Sequence, residues 1–454
     1  MQVSFFDGTQ DFKFRKPIRL IEFFAGYGSQ ALALKELGVD FQHWRICEWA
    51  IKSIQAYKDN HFSDDNKDYA QYFTSEYIYK VLSDWGISSN YNEPLTLEQV
   101  KRLGEKECRR IYNNICITHN LVNISRVKGK DLQIEDTDLY DYVLTYSFPC
   151  QDLSKAGLGK GMARDSGTRS GLLWEVERIL EECQSEGALP QILLMENVPD
   201  VIGTNNIKHF ASWLAKLESL GYHCYWKVIN SKDFGIPQNR DRCFMISILG
   251  DYFYGFPKEI KLENKLIDIL ETKVDEKYYL SQKAIKGKLE TKFRVTSFDG
   301  CGDKHIIEPT LKEQLCDRLV ESGLLKVGTV INHSYTNGLN GKNPNSRQSL
   351  KDYIESENGI CNCLTTRPDV LGIAVENFKN LRIRKLTPKE CFRLMGVRDK
   401  NFDRISKNQS NASLYHLAGD SIVVSVLVAI LGQFVENFDF NRYIYNFYSQ
   451  LKGE

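Results

Sequence analysis

The chain is 454 residues long and 42% hydrophobic, enough for two or three domains around a sizeable core. Lys plus Arg number 59 and Asp plus Glu 59, a neutral balance that excludes an indiscriminate polyanion binder while leaving room for a local basic cleft. Twelve cysteines at irregular spacing, with no secretory leader, point to reduced thiols in the cytoplasm.

Cys361-Asn362-Cys363 is the only close cysteine pair and has no second pair or spaced histidines near it, so no metal site is expected. The apolar run Ile422–Val435 contains Ser425, Gly432 and Gln433 and is too short for a bilayer, so it reads as a buried helix.

In chain order, Ile18 to Phe24 reads as a strand ending in Phe24-Ala25-Gly26-Tyr27-Gly28-Ser29, and Gln30 to Leu37 as a helix closed by Gly38. Strand, glycine loop and helix open a nucleotide-binding βαβ unit. A second strand, Trp44 to Cys47, ends at Glu48-Trp49, with Glu48 20 residues after Gly28, a spacing that suits an acid accepting from ribose hydroxyls. Without a third glycine for a pyrophosphate, adenosine lacking one fits at least as well as NAD. Residues 61–120 read as a helical insert, with a capping box at Thr96-Leu97-Glu98-Gln99 and a stripe of Leu97, Val100, Leu103 and Ile111; no chemistry is assigned to it.

Tyr142 to Tyr146 reads as a buried strand leading into Ser147-Phe148-Pro149-Cys150-Gln151-Asp152-Leu153-Ser154. Proline stiffens the turn that presents Cys150 at a strand's carboxyl end, where α/β sheets place their chemistry. The glycine-rich stretch after it, with Arg164 and Arg169, reads as a movable loop, and Leu172 to Leu180 as a helix. Pro190 to Met195 is another strand, and it delivers Glu196 to the same rim, where burial would raise a carboxyl's pKa. Gln238-Asn239-Arg240-Asp241-Arg242 leads into the strand Cys243–Ile246, with Arg240 and Arg242 on one face. From about 250 to 378 the β-α alternation fades, marking a smaller domain; it returns with a helix at Thr387-Pro388-Lys389-Glu390 and another opened by Gly419-Asp420-Ser421.

Phe24-Ala25-Gly26-x-Gly28, Phe148-Pro149-Cys150-Gln151, Glu196-Asn197-Val198, Gln238-x-Arg240-x-Arg242 and the helix at Arg384–Cys391, in that order, resemble the DNA cytosine-5 methyltransferases over roughly 18–60, 121–248 and 380–435. The resemblance implies an α/β fold: a Rossmann-like S-adenosylmethionine-dependent catalytic domain at 17–250, an inserted target-recognition domain at 251–378 and a return segment at 379–454. It implies Cys150 as nucleophile, with Glu196, Arg240 and Arg242 as its catalytic partners. It implies that S-adenosyl-L-methionine is held by Phe24, Ala25, Gly26, Tyr27, Gly28, Glu48, Trp49, Asn123, Ile124, Ser147, Pro149, Leu172, Asp420 and Ser421. Double-stranded DNA would meet Gln151, Ser154, Lys155, Arg164 and Arg169.

Two positions depart from the family pattern: Asn123 stands where an acid is usual, and Asp420 where Asn is usual, so Asp420 is expected to repel the cofactor carboxylate and weaken binding modestly. A monomer without membrane attachment, in a bacterial cell or phage-infected host, is expected, and a cognate restriction endonuclease would act separately. The rivals are an RNA methyltransferase of the same family, a DNA-binding module without catalysis, and a cysteine hydrolase. The hydrolase lacks a histidine in any rim motif.

Overall fold

The run Ile18–Phe23, buried at every position, forms β1, and Asp141–Tyr146 (β3) and Ile192–Asn197 (β4) are buried throughout in the same way. Strands covered on both faces are largely apolar, and these three, which also bury Arg19, Glu22, Asp141, Thr145, Glu196 and Asn197, lie side by side and parallel at the centre of a six-stranded sheet. With β2 (Phe41–Cys47), β5 (Tyr222–Asn230) and β7 (Asp241–Leu249), the order is β2-β1-β3-β4-β7-β5, β7 running antiparallel to both its neighbours. This computed structural model describes residues 10–149, 162, 164, 169–279, 361–364 and 382–453, with the strands at 293–296, 304–307, 331–332, 353–356 and 371–375.

Helix α1 (Ser29–Leu37) packs on one face of the sheet, its end set by Gly38 at φ 68°. Against the other face lie α6 (Leu173–Ser185) and α7 (Ile207–Ser219), through Val176, Ile179, Phe210 and Trp213. After α2 (Ile51–His61), the insert forms α3 (Ser75–Trp85), α4 (Leu97–Arg102) and α5 (Glu105–Ile117) around its own small core of Ile78, Leu82, Val100, Ile111 and Ile115. The capping box at Thr96 and Gln99 is present, but Leu97 is exposed: the short α4 buries only Val100, and α3 and α5 supply the rest of that core.

Two expectations need correction. Residues 251–279 do not part from the catalytic body at 250. Leu266 and Ile269 are fully buried in the main core, and the Tyr254 hydroxyl donates to the Ile430 carbonyl at 3.0 Å. These isolated apolar residues show no period, so the alternation fades before the body ends. Gly419-Asp420-Ser421 also does not open the last apolar helix. After α8 (Pro388–Leu394) and α9 (Asp399–Ser406), Gly419 and Asp420 close α10 (Asn411–Asp420), and α11 (Val424–Gly432) starts after a break.

Taken together, Asn411–Gly432 is 22 residues, long and apolar enough to cross a membrane, unlike the shorter run at Ile422. Most of it is buried inside the protein, as befits a core element, and α11 packs on α1. The chain closes with α12 (Phe440–Lys452).

The middle segment contributes a second sheet of β8 (Phe293–Thr296), β9 (Lys304–Ile307), β10 (Ile331–Asn332), β11 (Tyr353–Ser356), β13 (Leu371–Val375) and β14 (Arg382–Lys385), ordered β14-β13-β11-β10-β8-β9. A two-residue strand β12 (Cys361–Asn362) pairs instead with β6 (Gln238–Asn239), tying that segment to the catalytic body.

Candidate active site

Sheet register collects the site. Phe23 pairs with Cys47 on one side and Tyr146 on the other, and Tyr146 pairs with Met195. The next residues, Phe24, Glu48, Ser147 and Glu196, therefore emerge along one rim, and antiparallel β7 brings Arg242 back to it beside Asn197–Cys243. The order β2-β1-β3 reverses direction of growth between β1 and β3, the switch point at which open α/β sheets bind ligands.

A cavity of about 440 Å³ opens there, inside the ~300–1,000 Å³ range of small-molecule sites. One wall carries Phe24, Ala25, Gly26, Tyr27, Glu48, Trp49, Asn123 and Ile124; Ser147, Pro149, Leu172, Asp420 and Ser421 also line it. The same cavity continues to Glu196, Arg240 and Arg242.

The glycine loop turns through left-handed backbone at Phe24 (φ 58°), Gly26 (φ 56°) and Gly28 (φ 81°). Gly26 donates its amide to Glu48 Oε2 at 3.0 Å, and Ala50 donates to Oε1 at 2.8 Å. Burial raises the Glu48 carboxyl to about 7, against those amide donors. Asn120, which sequence reasoning passed over, braces this acid: its side chain accepts from the Glu48 amide at 3.0 Å and donates to the Glu48 carbonyl at 2.8 Å. Gly28 does not line the cavity. A Cβ there would sit 2.3 Å from His61 Nε2 and 2.7 Å from the Tyr57 ring, so close packing of α2 requires the glycine.

On the other wall, Glu196 is buried and its Oε1 lies 3.1 Å from Arg242 Nε. Burial raises the Glu196 carboxyl, and Arg242 and then Arg240 pull against that rise. Arg240 points elsewhere: Nη2 donates to the carbonyls of Gly419 (2.9 Å) and Ser421 (2.7 Å), and Nη1 to that of Leu364 (3.0 Å). Its guanidinium thus clamps the Gly419–Ser421 break to the rim, and the Tyr27 hydroxyl reinforces this by donating to Ser421 Oγ at 2.8 Å.

The turn before residue 150 is tied down from two sides. Asn197 Nδ2 donates to the Phe148 carbonyl at 2.9 Å and Ser170 Oγ to the Pro149 carbonyl at 2.8 Å. Cys150, Gln151, Ser154 and Lys155 lie outside the described residues, as does the side chain of Arg169. Arg164 stands away from the cavity, stacked over Trp174 at 4.1 Å and bound to both Glu177 oxygens at 2.7 Å, so its donors already have an acid.

Sequence reasoning also missed Cys363 and His416. Burial alone would push the Cys363 thiol up, but Arg240 and Arg242, whose nitrogens lie 3.4 and 3.9 Å from its sulfur, bring it below its usual value. His416 lines the cavity with a buried Nε2 that makes no hydrogen bond, although Asp420 Oδ2 stands 3.1 Å off its axis. Among the described residues no cluster of metal-ligating side chains occurs.

A switch-point cavity with a nucleoside wall and an adjoining acid–guanidinium wall defines a Rossmann-like S-adenosylmethionine-dependent methyltransferase. The profile of the C-5 cytosine-specific DNA methylases matches residues 99–436. The chain is 34% identical to the type II methyltransferase M2.ScrFI of Lactococcus lactis subsp. cremoris, over 91% of this chain and 98% of that protein. It is 38% identical to the orphan methyltransferase M.SssI of Spiroplasma monobiae, over 59% of this chain and 68% of that one. The fold also resembles the solved Entamoeba histolytica methyltransferase EhMeth, with a TM-score of 0.54 and 15% identity over 92% of this chain and 98% of that one. The chain belongs to the C-5 cytosine-specific DNA methylase family: it is a DNA (cytosine-5-)-methyltransferase with S-adenosylmethionine as methyl donor.

The cavity suits that donor. It offers a carboxylate held in place for ribose hydroxyls, the flat face of Trp49 for a purine, and a buried, unbonded imidazole nitrogen at His416 beside Asp420.

Proposed function

We propose that the chain methylates a cytosine flipped out of a short recognition sequence in double-stranded DNA, with Cys150 as the nucleophile. Carbon 5 of cytosine is a poor nucleophile. Thiolate addition at carbon 6 gives it enamine character and divides one difficult step into easier ones. Glu196, held up by burial, carries a proton at ring N3 and steadies the exocyclic amine as charge develops. Arg242, poised against Glu196, faces the base carbonyl and favours the ionised thiol. Arg240 acts through the backbone it clamps.

Bound S-adenosylmethionine supplies an electrophilic methyl group on its sulfonium. Glu48 takes the ribose, Trp49 and Phe24 flank the adenine, Asn123 and Ile124 meet its edge, and Asp420 with Ser421 borders the amino-acid end. The rigid Phe148–Pro149 turn holds the nucleophile still while the base comes to it, at an unstacking cost of about a few kcal/mol.

The segment following residue 279 reads the target sequence, with its sheet leading through β14 into α8. Gln151, Ser154, Lys155 and Arg169 contact DNA. Arg164 contacts it only after leaving Glu177. The protein works as a cytoplasmic monomer, and any cognate endonuclease acts as a separate protein.

The observation that carries this reading is the single cavity running from Gly26 and Glu48 to Glu196 and Arg242. Incubation with duplex DNA containing 5-fluorocytosine and S-adenosylmethionine should trap a covalent complex that Cys150→Ser does not form. Bisulfite sequencing of DNA from expressing cells should show methylcytosine in one short motif. Trapping by the serine variant, or unmodified DNA from the active protein, would overturn the reading.

A further inference from the structure

The helical insert touches the cofactor wall at two separate points. At the end of α3, Gly86 (φ 75°) abuts the adenine-side residue: a Cβ there would lie 2.9 Å from Asn123 Nδ2. Beyond it, the hairpin 88–95 reaches across to the return segment, where the Tyr91 ring packs on His416 with centroids 4.4 Å apart. Tyr91, Asn92 and Pro94 all line the cavity, and so does Ser53, whose hydroxyl lies 3.4 Å from that of Tyr91.

This hairpin is built as part of the site. The Ser88 amide donates to the Trp49 carbonyl at 2.8 Å and the Ile51 amide to the Ser88 carbonyl at 2.9 Å, bonding its base to the segment that carries Glu48 and Trp49. Leu95 closes back on Ile87 at 2.8 Å, and Ser88 Oγ donates to the Glu93 carbonyl at 2.7 Å. At the tip, Asn90 Oδ1 accepts from the amides of Asn92 (2.9 Å) and Glu93 (3.3 Å). Between them Tyr91 is held at φ 63°, a left-handed conformation that an aromatic residue adopts only when its surroundings impose it. The turn accepts that strain and delivers the ring against His416, in the cavity that Glu48 and Asp420 also line.

We infer that the insert completes the cofactor pocket, with Tyr91 as its outer wall over the ribose and amino-acid end and Asn92 beside it. The insert, whose helices otherwise pack around their own core, is thereby a binding element. The inference rests on the cofactor site proposed above, and the test separates the two.

The full-length protein is titrated with S-adenosylhomocysteine by calorimetry, without DNA. Tyr91→Ala should raise Kd about tenfold, from loss of an aromatic face worth ~1.4 kcal/mol. Tyr91→Phe should restore near-native affinity, because the ring and not the long hydroxyl contact does the covering. In the wild-type protein, amide exchange within 89–93 should slow when S-adenosylhomocysteine is added, which decides the matter if Tyr91→Ala fails to fold. A wild-type protein that does not bind S-adenosylhomocysteine sinks the cofactor reading itself. Tight wild-type binding with an indifferent Tyr91→Ala, or with exchange at 89–93 unchanged, overturns only the wall.

Discussion

Arg242 Nε stands 3.1 Å from Glu196 Oε1, with the two side chains 16% and 9% exposed. Burial is the larger influence on this acid and raises its carboxyl, and Arg242 leads the groups that oppose the rise. Arg242→Ala should push the Glu196 carboxyl higher still and reduce single-turnover methyl transfer by about 10²–10⁴-fold, the usual worth of a positioned acid–base group. S-adenosylhomocysteine affinity should hold, because neither residue belongs to the nucleoside wall. A rate loss matched by an equal loss of cofactor affinity would show that the pair supports the fold and not the chemistry.

Arg240, two positions away, should respond differently. Its carbonyl contacts to Gly419 and Leu364 are buried and that to Ser421 partly so, and hydrogen bonds to charged groups contribute about 1.5–3 kcal/mol each. Arg240→Ala should therefore lower unfolding stability by several kcal/mol and weaken cofactor binding through the displaced Gly419–Ser421 break. Urea denaturation monitored with and without S-adenosylhomocysteine checks both. Unchanged stability with lost catalysis would return Arg240 to a direct role on the base.

The contrast between these arginines marks how far the sequence could be read. Strand ends were legible because β1, β3 and β4 are largely apolar runs that give way to the glycine loop at Gly26, the Ser147–Pro149 turn and Glu196-Asn197, and register then gathers those ends on one rim. Period alone placed Arg240 and Arg242 on one face, yet Arg240 falls between β6 and β7, where carbonyls of a segment more than a hundred residues later claim it. Asn120, Tyr91 and His416 carry no motif. Their positions depend on how the insert and the return segment fold over the sheet, and only tertiary contact reveals that. The expected boundary at 250 failed for a related reason: Tyr254, Leu266 and Ile269 are scattered apolar residues whose partners lie in the return segment.

Glu22 offers a test by pH. It is fully buried behind the glycine loop, accepts from the Tyr57 hydroxyl and from the Ala31 amide at 3.3 Å, and burial raises its carboxyl from 4.5 to about 7. A carboxyl raised on folding is favoured protonated in the folded state, so its contribution is complete below about pH 4.5 and is lost as pH rises to about 7. Glu48 titrates across the same window. Stability of the unliganded protein should fall between about pH 4.5 and about pH 7, measured as urea midpoints, and Glu22→Gln should remove part of that slope, at most roughly 3–4 kcal/mol at ~1.4 kcal/mol per pKa unit. An identical slope in the variant would place the titration elsewhere.

Asp420, where the family usually has Asn, closes α10 and borders a cavity that already holds Glu48 and Glu196. Its charge raises both of those carboxyls, though less than burial does, and an ionised Asp can only accept hydrogen bonds. The nearest side chain is His416, its Nε2 lying 3.1 Å from Oδ2. Asp420→Asn should therefore tighten S-adenosylmethionine binding modestly, by about three- to tenfold, corresponding to ~0.7–1.4 kcal/mol of relieved repulsion. The gain should shrink in high salt, where an exposed charge is screened. His416→Ala should act in the opposite sense, since it strips Asp420 of its neighbour and removes the surface on which Tyr91 rests. An Asp420→Asn protein with an unchanged dissociation constant would show that the carboxylate does not repel the cofactor.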